Sequence, residues 1–268
     1  GPPAMLLAWA FRNPNFLFFY PYTLALVVLR IEFAYTMHYV VHIALAGVGT
    51  YLLARRWAQS RTAAFVAAFV FAFSGPVLSL GNFFNHVAAA AWIPWALLLT
   101  DRALAGRSWR PWLLLTLVFA LQFLASEPFT LIATFGLAVV YALWRMPHPT
   151  HPFSAAHLRL IRNFVGVAFL MLGLAAVQFL PSLDLLRNSR RGVEGLPFNE
   201  TTSWSFHPLH LLETVIPNFF GSPLESPSLW TLVVNCRNMP YFPSIFVGFV
   251  PVFLALVGWA WGRERRRN

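Results

Sequence analysis

Two long stretches without a charged side chain limit what this chain can become. Residues 33–54 carry no Asp, Glu, Lys or Arg, and neither do residues 62–100. An α-helix crosses a hydrocarbon core of about 30 Å with roughly 20 apolar residues. The charge-free stretches therefore supply helices of membrane length rather than the core of a water-soluble domain. Composition agrees, because 10% of the residues are charged and 58% are hydrophobic, where a soluble domain carries about 25% charged residues. That leaves too little polar surface to solvate a fold of 268 residues. Aromatics make up 17% of the chain, including 27 Phe and 11 Trp, which suits lipid-facing and interfacial positions.

The apolar runs lack the two-residue alternation of barrel strands. Backbone groups in lipid must be satisfied within the segment, so the runs are expected to be helices. The expected fold is all-α, a polytopic transmembrane helical bundle. Seven spans fall near 33–54, 62–80, 84–100, 111–126, 128–144, 164–183 and 243–261, within a single domain covering residues 1–268. Residues 1–30 are rich in Pro and aromatics, and their apolar stretch 16–29 reaches only about 21 Å as a helix. A surface or re-entrant segment on the outer face is expected there. The long connection 184–242 is interrupted by Pro197, Pro208, Pro217, Pro223, Pro227 and Pro240, with a helical candidate at 208–216. A loop of that length is expected to be functional or a small folded cap.

Arginine placement gives an orientation. All 19 basic residues are Arg. Most lie after odd-numbered spans: Arg55, Arg56 and Arg61; Arg102, Arg107 and Arg110; Arg145, Arg159 and Arg162; and Arg263, Arg265, Arg266 and Arg267. The short opposite connections near 81–86 and at Glu127 carry none. The positive-inside bias puts the Arg-rich ends in the cytoplasm, with Gly1 outside, Asn268 inside and the 184–242 loop extracytoplasmic, in a cytoplasmic (inner) membrane. The Arg residues sit between apolar runs and form no basic face, so no nucleic-acid partner is expected. The single Cys236 excludes an internal disulfide. The chain starts at Gly1 without a signal-peptide pattern, and it is expected to be a piece with further sequence upstream.

Several polar residues are candidates for chemistry. His38 and His42 lie four apart on one helical face. They are either a metal or proton-relay pair or two interior rings bonded to neighbouring helices, and no third ligand stands at helical spacing. His86 lies in the outer connection GNFFNHV and Glu127 at the tip of the SEP turn. Glu127 suits a metal or a substrate hydroxyl, or else a helix end. Arg187, Arg190 and Arg191 cluster just past a membrane exit, against the general Arg bias. Guanidinium forks there suit a phosphate, such as a lipid headgroup or polyprenyl phosphate, or pairing with Asp184 and Glu194. Trp204 and His207 follow in FNETTSWSFHPLHLLE, where an indole can stack on a sugar ring or anchor at the interface. No nucleotide-binding glycine loop, HExxH or GxSxG motif is present.

The order of short patterns resembles the YfhO-like bacterial membrane proteins of the GT-C class of glycosyltransferases. The stretches are NPNFLFFYPYTLAL, HIALAGVGTYLLARR, AAFVFAFSGPV, AAWIPWALLLTDRAL and LQFLASEPFTL, then VQFLPSLDLLRNSRRG, SWSFHPLHLLETVIPNFFG and PYFPSIFVGFVPVFLAL. This resemblance implies transfer of a sugar from a polyprenyl-phosphate carrier to a cell-envelope acceptor on the outer face. A divalent cation such as Mg or Mn is a possible helper. The acidic catalytic residue of that class stands in the first outer loop, which would precede Gly1, so Glu127 is a candidate only as an outer-face carboxylate. The competing readings are a lipid or sugar transporter or flippase, and a non-catalytic envelope-assembly subunit. Span interiors with only His38, His42, Gln122 and Gln178 as large polar groups argue against ion-coupled transport.

The orientation places Cys236 outside. A membrane-impermeant maleimide should label it in intact cells, and labelling only after lysis would reverse the assignment.

Overall fold

The computed structural model describes residues 17–57, 59–106, 108–146, 154–202, 205–221 and 243–265. All regular structure among them is helical. The helices are α1 (Thr23–Val28), α2 (Ile31–Arg56), α3 (Arg61–Ala72), α4 (Gly75–Ser79), α5 (Phe84–Ala91), α6 (Ile93–Ala105), α7 (Arg110–Leu124) and α8 (Pro128–Arg145). They continue with α9 (Ala155–Leu174), α10 (Ala176–Arg187), α11 (Arg190–Val193), α12 (Phe198–Thr201) and α13 (Phe249–Arg265), with 3-10 turns at Leu80–Asn82 and Pro208–Thr214.

Five helical stretches are long and apolar enough to cross a membrane: Ile31–Arg56, Arg61–Asn82, Phe84–Ala105, Pro128–Arg145 and Ala155–Leu174. Two shorter apolar helices, Arg110–Leu124 and Phe249–Ala260, occupy the other two expected positions. At 15 residues, α7 reaches about 22 Å, less than a full hydrocarbon core. The sixth expected span, 164–183, needs correction. Its helix starts nine residues earlier, at Ala155, and stops at Leu174. Ala175, at φ −94° and ψ 9°, breaks it from α10. Arg159 and Arg162 consequently lie on the first turns of α9 and not in a connecting loop. Long Arg side chains permit this, since their stems lie along apolar surface while their heads reach the polar boundary. Two other spans are interrupted. Phe73 and Ser74 separate α3 from α4, and Trp92 separates α5 from α6, which has Pro94 in its first turn.

The chain divides into two compact units. In the first, formed by residues 1–68 and 83–193, α2 packs on α5 and α6, α6 on α7 and α8, and α7 on α9. Its contacts are lined by small residues. Ala88, Ala89, Ala90 and Ala91 are all buried, and Ala34, Ala46, Ala96, Ala120, Ala138 and Ala142 join them. Helix contacts in lipid gain no water-exclusion term from apolar bulk, so close approach of small side chains supplies the packing. Large side chains meanwhile face outward, among them Phe65, Val140, Trp144, Ile161, Val165 and Phe169. The core of this unit clusters Leu99, Leu115, Phe119, Leu131, Phe164 and Met171.

Before α2, the segment from Leu17 to Tyr22 folds onto the same unit, burying Leu17 and Tyr20 against Ala88, Ala89 and Ala125. The second unit holds 69–82 and 194–268. There the Gly75 N–H donates to the Phe246 carbonyl at 2.8 Å, and Ser79 Oγ donates to the Ser244 carbonyl at 2.7 Å. A Cβ on Gly75 would stand 2.6 Å from Phe246 O, so only glycine permits this approach. The Pro208–Thr214 turn matches the helical candidate at 208–216. Cys236 and all of 222–242 lie outside the described residues.

Gly49 is buried where α2 meets α6, and a Cβ there would stand 2.6 Å from Trp95 Nε1. The Trp95 ring is fixed, since its N–H donates to the Leu45 carbonyl at 2.9 Å. Gly49→Val should therefore cost about 1–3 kcal/mol by overpacking. A lower midpoint of thermal unfolding in detergent, followed by Trp fluorescence, would show it; an unchanged midpoint would refute the packing assigned here.

Candidate functional site

Two connections at one end of the first unit bring together His86 and Glu127, both picked out from sequence. The turn between α7 and α8 is built on Ser126 at φ 64°, a left-handed conformation uncommon for serine. Glu127 then takes an extended backbone, φ −128° and ψ 85°, as a residue before proline favours. Pro128 starts α8 without needing a donor. Glu127 is the N-cap of α8, with Oε1 accepting from the Thr130 N–H at 3.2 Å. Its other carboxylate oxygen, Oε2, stands 3.7 Å from His86 Nε2.

The neighbouring amide fixes which histidine nitrogen is basic. The Ser126 carbonyl can only accept, so the Asn85 amide nitrogen faces it, at 3.2 Å. Asn85 Oδ1 is then the atom 2.8 Å from His86 Nδ1, so Nδ1 carries the proton and Nε2 the lone pair. The basic nitrogen is thereby aimed at the carboxylate. At 3.7 Å the two are too far apart for a direct hydrogen bond and close enough to act on one hydroxyl. Glu127 is buried and His86 half-buried, which strengthens their mutual field relative to bulk water.

Behind this pair stands a network of neutral rings. His42 Nδ1 donates to the His38 carbonyl at 2.6 Å, leaving Nε2 to accept from the Tyr20 hydroxyl at 2.8 Å. The Trp92 N–H donates to Tyr20 in turn, at 3.0 Å. Burial pushes the Tyr20 hydroxyl pKa up to about 12, despite the smaller lowering from the Trp92 bond. His38 Nε2 donates to the Phe84 carbonyl at 2.8 Å, and the His38 ring stacks on Phe84 with centroids 3.5 Å apart. His38 and His42 are thus interior rings tying α2 to Tyr20 and to the start of α5. No group of three or more His, Cys, Asp or Glu gathers among the described residues. With Glu127 Oε1 already committed to Thr130, the donor set does not fit a divalent cation, which wants several oxygen ligands.

The remaining candidates are placed separately. Arg187 ends α10 and Arg190 begins α11, both exposed. Asn188 Nδ2 donates to Asp184 Oδ1 at 3.2 Å. The Arg191 side chain and Trp204 lie outside the described residues. His207 belongs to the second unit, where its Nδ1 accepts from the Leu209 N–H at 3.3 Å and caps the 3-10 turn.

Sequence reasoning missed a heavily bonded acid, Asp101. Asp101, 1% exposed, lies in the last turns of α6, at the end of the unit where α2 and α8 also terminate. Its Oδ2 accepts from Arg56 Nε at 2.6 Å. Its Oδ1 accepts from the Tyr141 hydroxyl at 2.6 Å and from Arg145 Nε at 3.1 Å, and Trp57 Nε1 donates to Tyr141 at 2.8 Å. Asp101 stands just past the expected span 84–100, at the end of its helix rather than in a span interior. Its charge is neutralised by structural partners on two other helices, α2 and α8. A signal was present: Asp101 is the sole acidic residue between Glu32 and Glu127, with Arg-bearing helix ends on either side of it in the chain.

No family model matches the chain, and neither a curated protein nor a solved structure does. The geometry alone carries the site.

Glu127→Ala removes the cap on Thr130 and should cost about 1 kcal/mol of stability. Glu127→Gln keeps an acceptor at that position and should cost less. Thermal unfolding of the two variants side by side checks the ordering, and equal midpoints would remove the capping role.

Proposed function

We propose that the chain forms part of a membrane glycosyltransferase of the GT-C type, with seven helical crossings. It moves a sugar from a polyprenyl-phosphate carrier to an envelope acceptor at the outer face of the cytoplasmic membrane. The observation that carries this reading is the pairing of His86 Nε2 with Glu127 Oε2 at 3.7 Å. The pair lies at the end of the first unit opposite the Arg56–Asp101–Arg145 cluster. The positive-inside bias assigns that cluster to the cytoplasm and the pair to the outside.

The pair suits activation of an acceptor hydroxyl. As the hydroxyl oxygen attacks the anomeric carbon, its proton passes to the Glu127 carboxylate. The bond from that carbon to the carrier phosphate breaks, and the electron pair leaves on the phosphate. His86 stands beside that carboxylate, its Nε2 3.7 Å from Oε2, and lines the same point. Arg187 and Arg190, at the junction of α10 and α11, supply guanidinium groups suited to the departing phosphate. The ordered motifs that resemble the YfhO-like proteins point to the same substrate class.

The test is transfer from radiolabelled polyprenyl-phosphate sugars in membranes containing the full-length protein. Glu127→Gln should lower the rate by about 100-fold or more while insertion and expression are kept, and Arg190→Ala should lower it as well. Undiminished transfer by Glu127→Gln would end the role given to this carboxylate.

A further inference from the structure

The cluster at the opposite end of the first unit leaves charge unspent. Two guanidinium groups share one carboxylate, so Arg56, Arg145 and Asp101 together carry one net positive charge. Arg56 uses Nε alone on Asp101. Arg145 uses Nε and Nη2. Among the described residues, the Nη atoms of Arg56 and Nη1 of Arg145 have no protein partner. Their side chains are 39% and 46% exposed, whereas the carboxylate between them is 1% exposed. The buried anion thus fixes two planar forks whose outer edges face away from the protein.

That arrangement is built for an oxyanion. A guanidinium held on one edge by a buried carboxylate has lost most of its rotamer freedom before any ligand arrives, so less is lost on binding. Tyr141 and Trp57 complete the frame. The tyrosine hydroxyl holds Asp101 in place at 2.6 Å, and Trp57, 43% exposed, presents an indole where interfacial aromatics sit beside headgroups. Arg55 and Arg102 add positive charge in the last turns of α2 and α6, with no acidic residue nearby in sequence other than Asp101. We propose that Arg56 and Arg145 form a binding site for a phosphate oxyanion, met at this membrane surface as the headgroup of an anionic phospholipid. The site is distinct from the His86–Glu127 pair and stands whether or not that pair transfers a sugar.

Native mass spectrometry of the purified full chain in detergent tests this, with three probes: dioctanoyl phosphatidylglycerol, dioctanoyl phosphatidylcholine and inorganic phosphate. Phosphatidylglycerol should bind about tenfold more tightly than phosphatidylcholine, as one bidentate charge-assisted contact provides. Arg56→Lys with Arg145→Lys keeps the charge, loses the forks and should abolish the preference, while Arg55→Lys should retain it. Displacement by inorganic phosphate at equal affinity would identify free phosphate as the ligand, and failure to displace would identify the lipid headgroup. Should the double variant lose its helical circular dichroism, Arg145→Lys alone carries the test, because Arg56 still holds Asp101. Equal binding of the two lipids, an unchanged preference in the lysine variants, or an equal loss with Arg55→Lys would overturn the site.

Discussion

A helix in lipid already satisfies its own backbone, and its apolar side chains are as comfortable against acyl chains as against one another. What holds such helices in a fixed register has to come from close contact and from a small number of polar bonds. The first unit spends its polar side chains accordingly. Asp101 joins the ends of α2, α6 and α8 through Arg56, Tyr141 and Arg145. Midway, Gln122 Nε2 donates to the Ala89 carbonyl and to Thr134, at 3.0 and 2.9 Å, linking α7 to α5 and α8. Towards the other end, His38 and His42 tie α2 to α5 and to Tyr20. These three sets fix where the connections emerge.

The ends then differ in chemical character. At one, a buried carboxylate is over-matched by arginine, and the surplus is cationic and faces outward. At the other, Glu127 meets a neutral imidazole, with the proton on His86 assigned by an asparagine that is itself oriented by the Ser126 carbonyl. The first arrangement is static, because every oxygen of Asp101 is engaged. In the second, His86 Nε2 and Glu127 Oε2 stand 3.7 Å apart. A single unit thus carries a cationic cluster at one end and a histidine–carboxylate pair at the other.

Much of this was legible in the chain because length and apolarity alone determine membrane helices. The expected spans 33–54 and 128–144 match α2 and α8 nearly to their ends, whereas the span 62–80 is broken after Ala72. The sixth span was misplaced because Arg159 and Arg162 read as loop residues, although helical arginines extend to the boundary easily. His86 and Glu127 could be picked out as outer-face polar residues, but their meeting depends on the turn at Ser126, which no local pattern announces. Asp101 escaped notice for a related reason. Its partners come from helices that are distant in sequence, and hydropathy reports how apolar a segment is but not which charges its ends will share.

The four successive alanines of α5 have one more effect. Alanine has no rotamers, so Ala88–Ala91 lie against α2 and α7 with nothing to rearrange. The helix that carries His86 is consequently seated like a key cut to one depth, unable to slide or rotate without opening a void along its whole length. The His86 imidazole, in the first turn of that helix, is held in place with it.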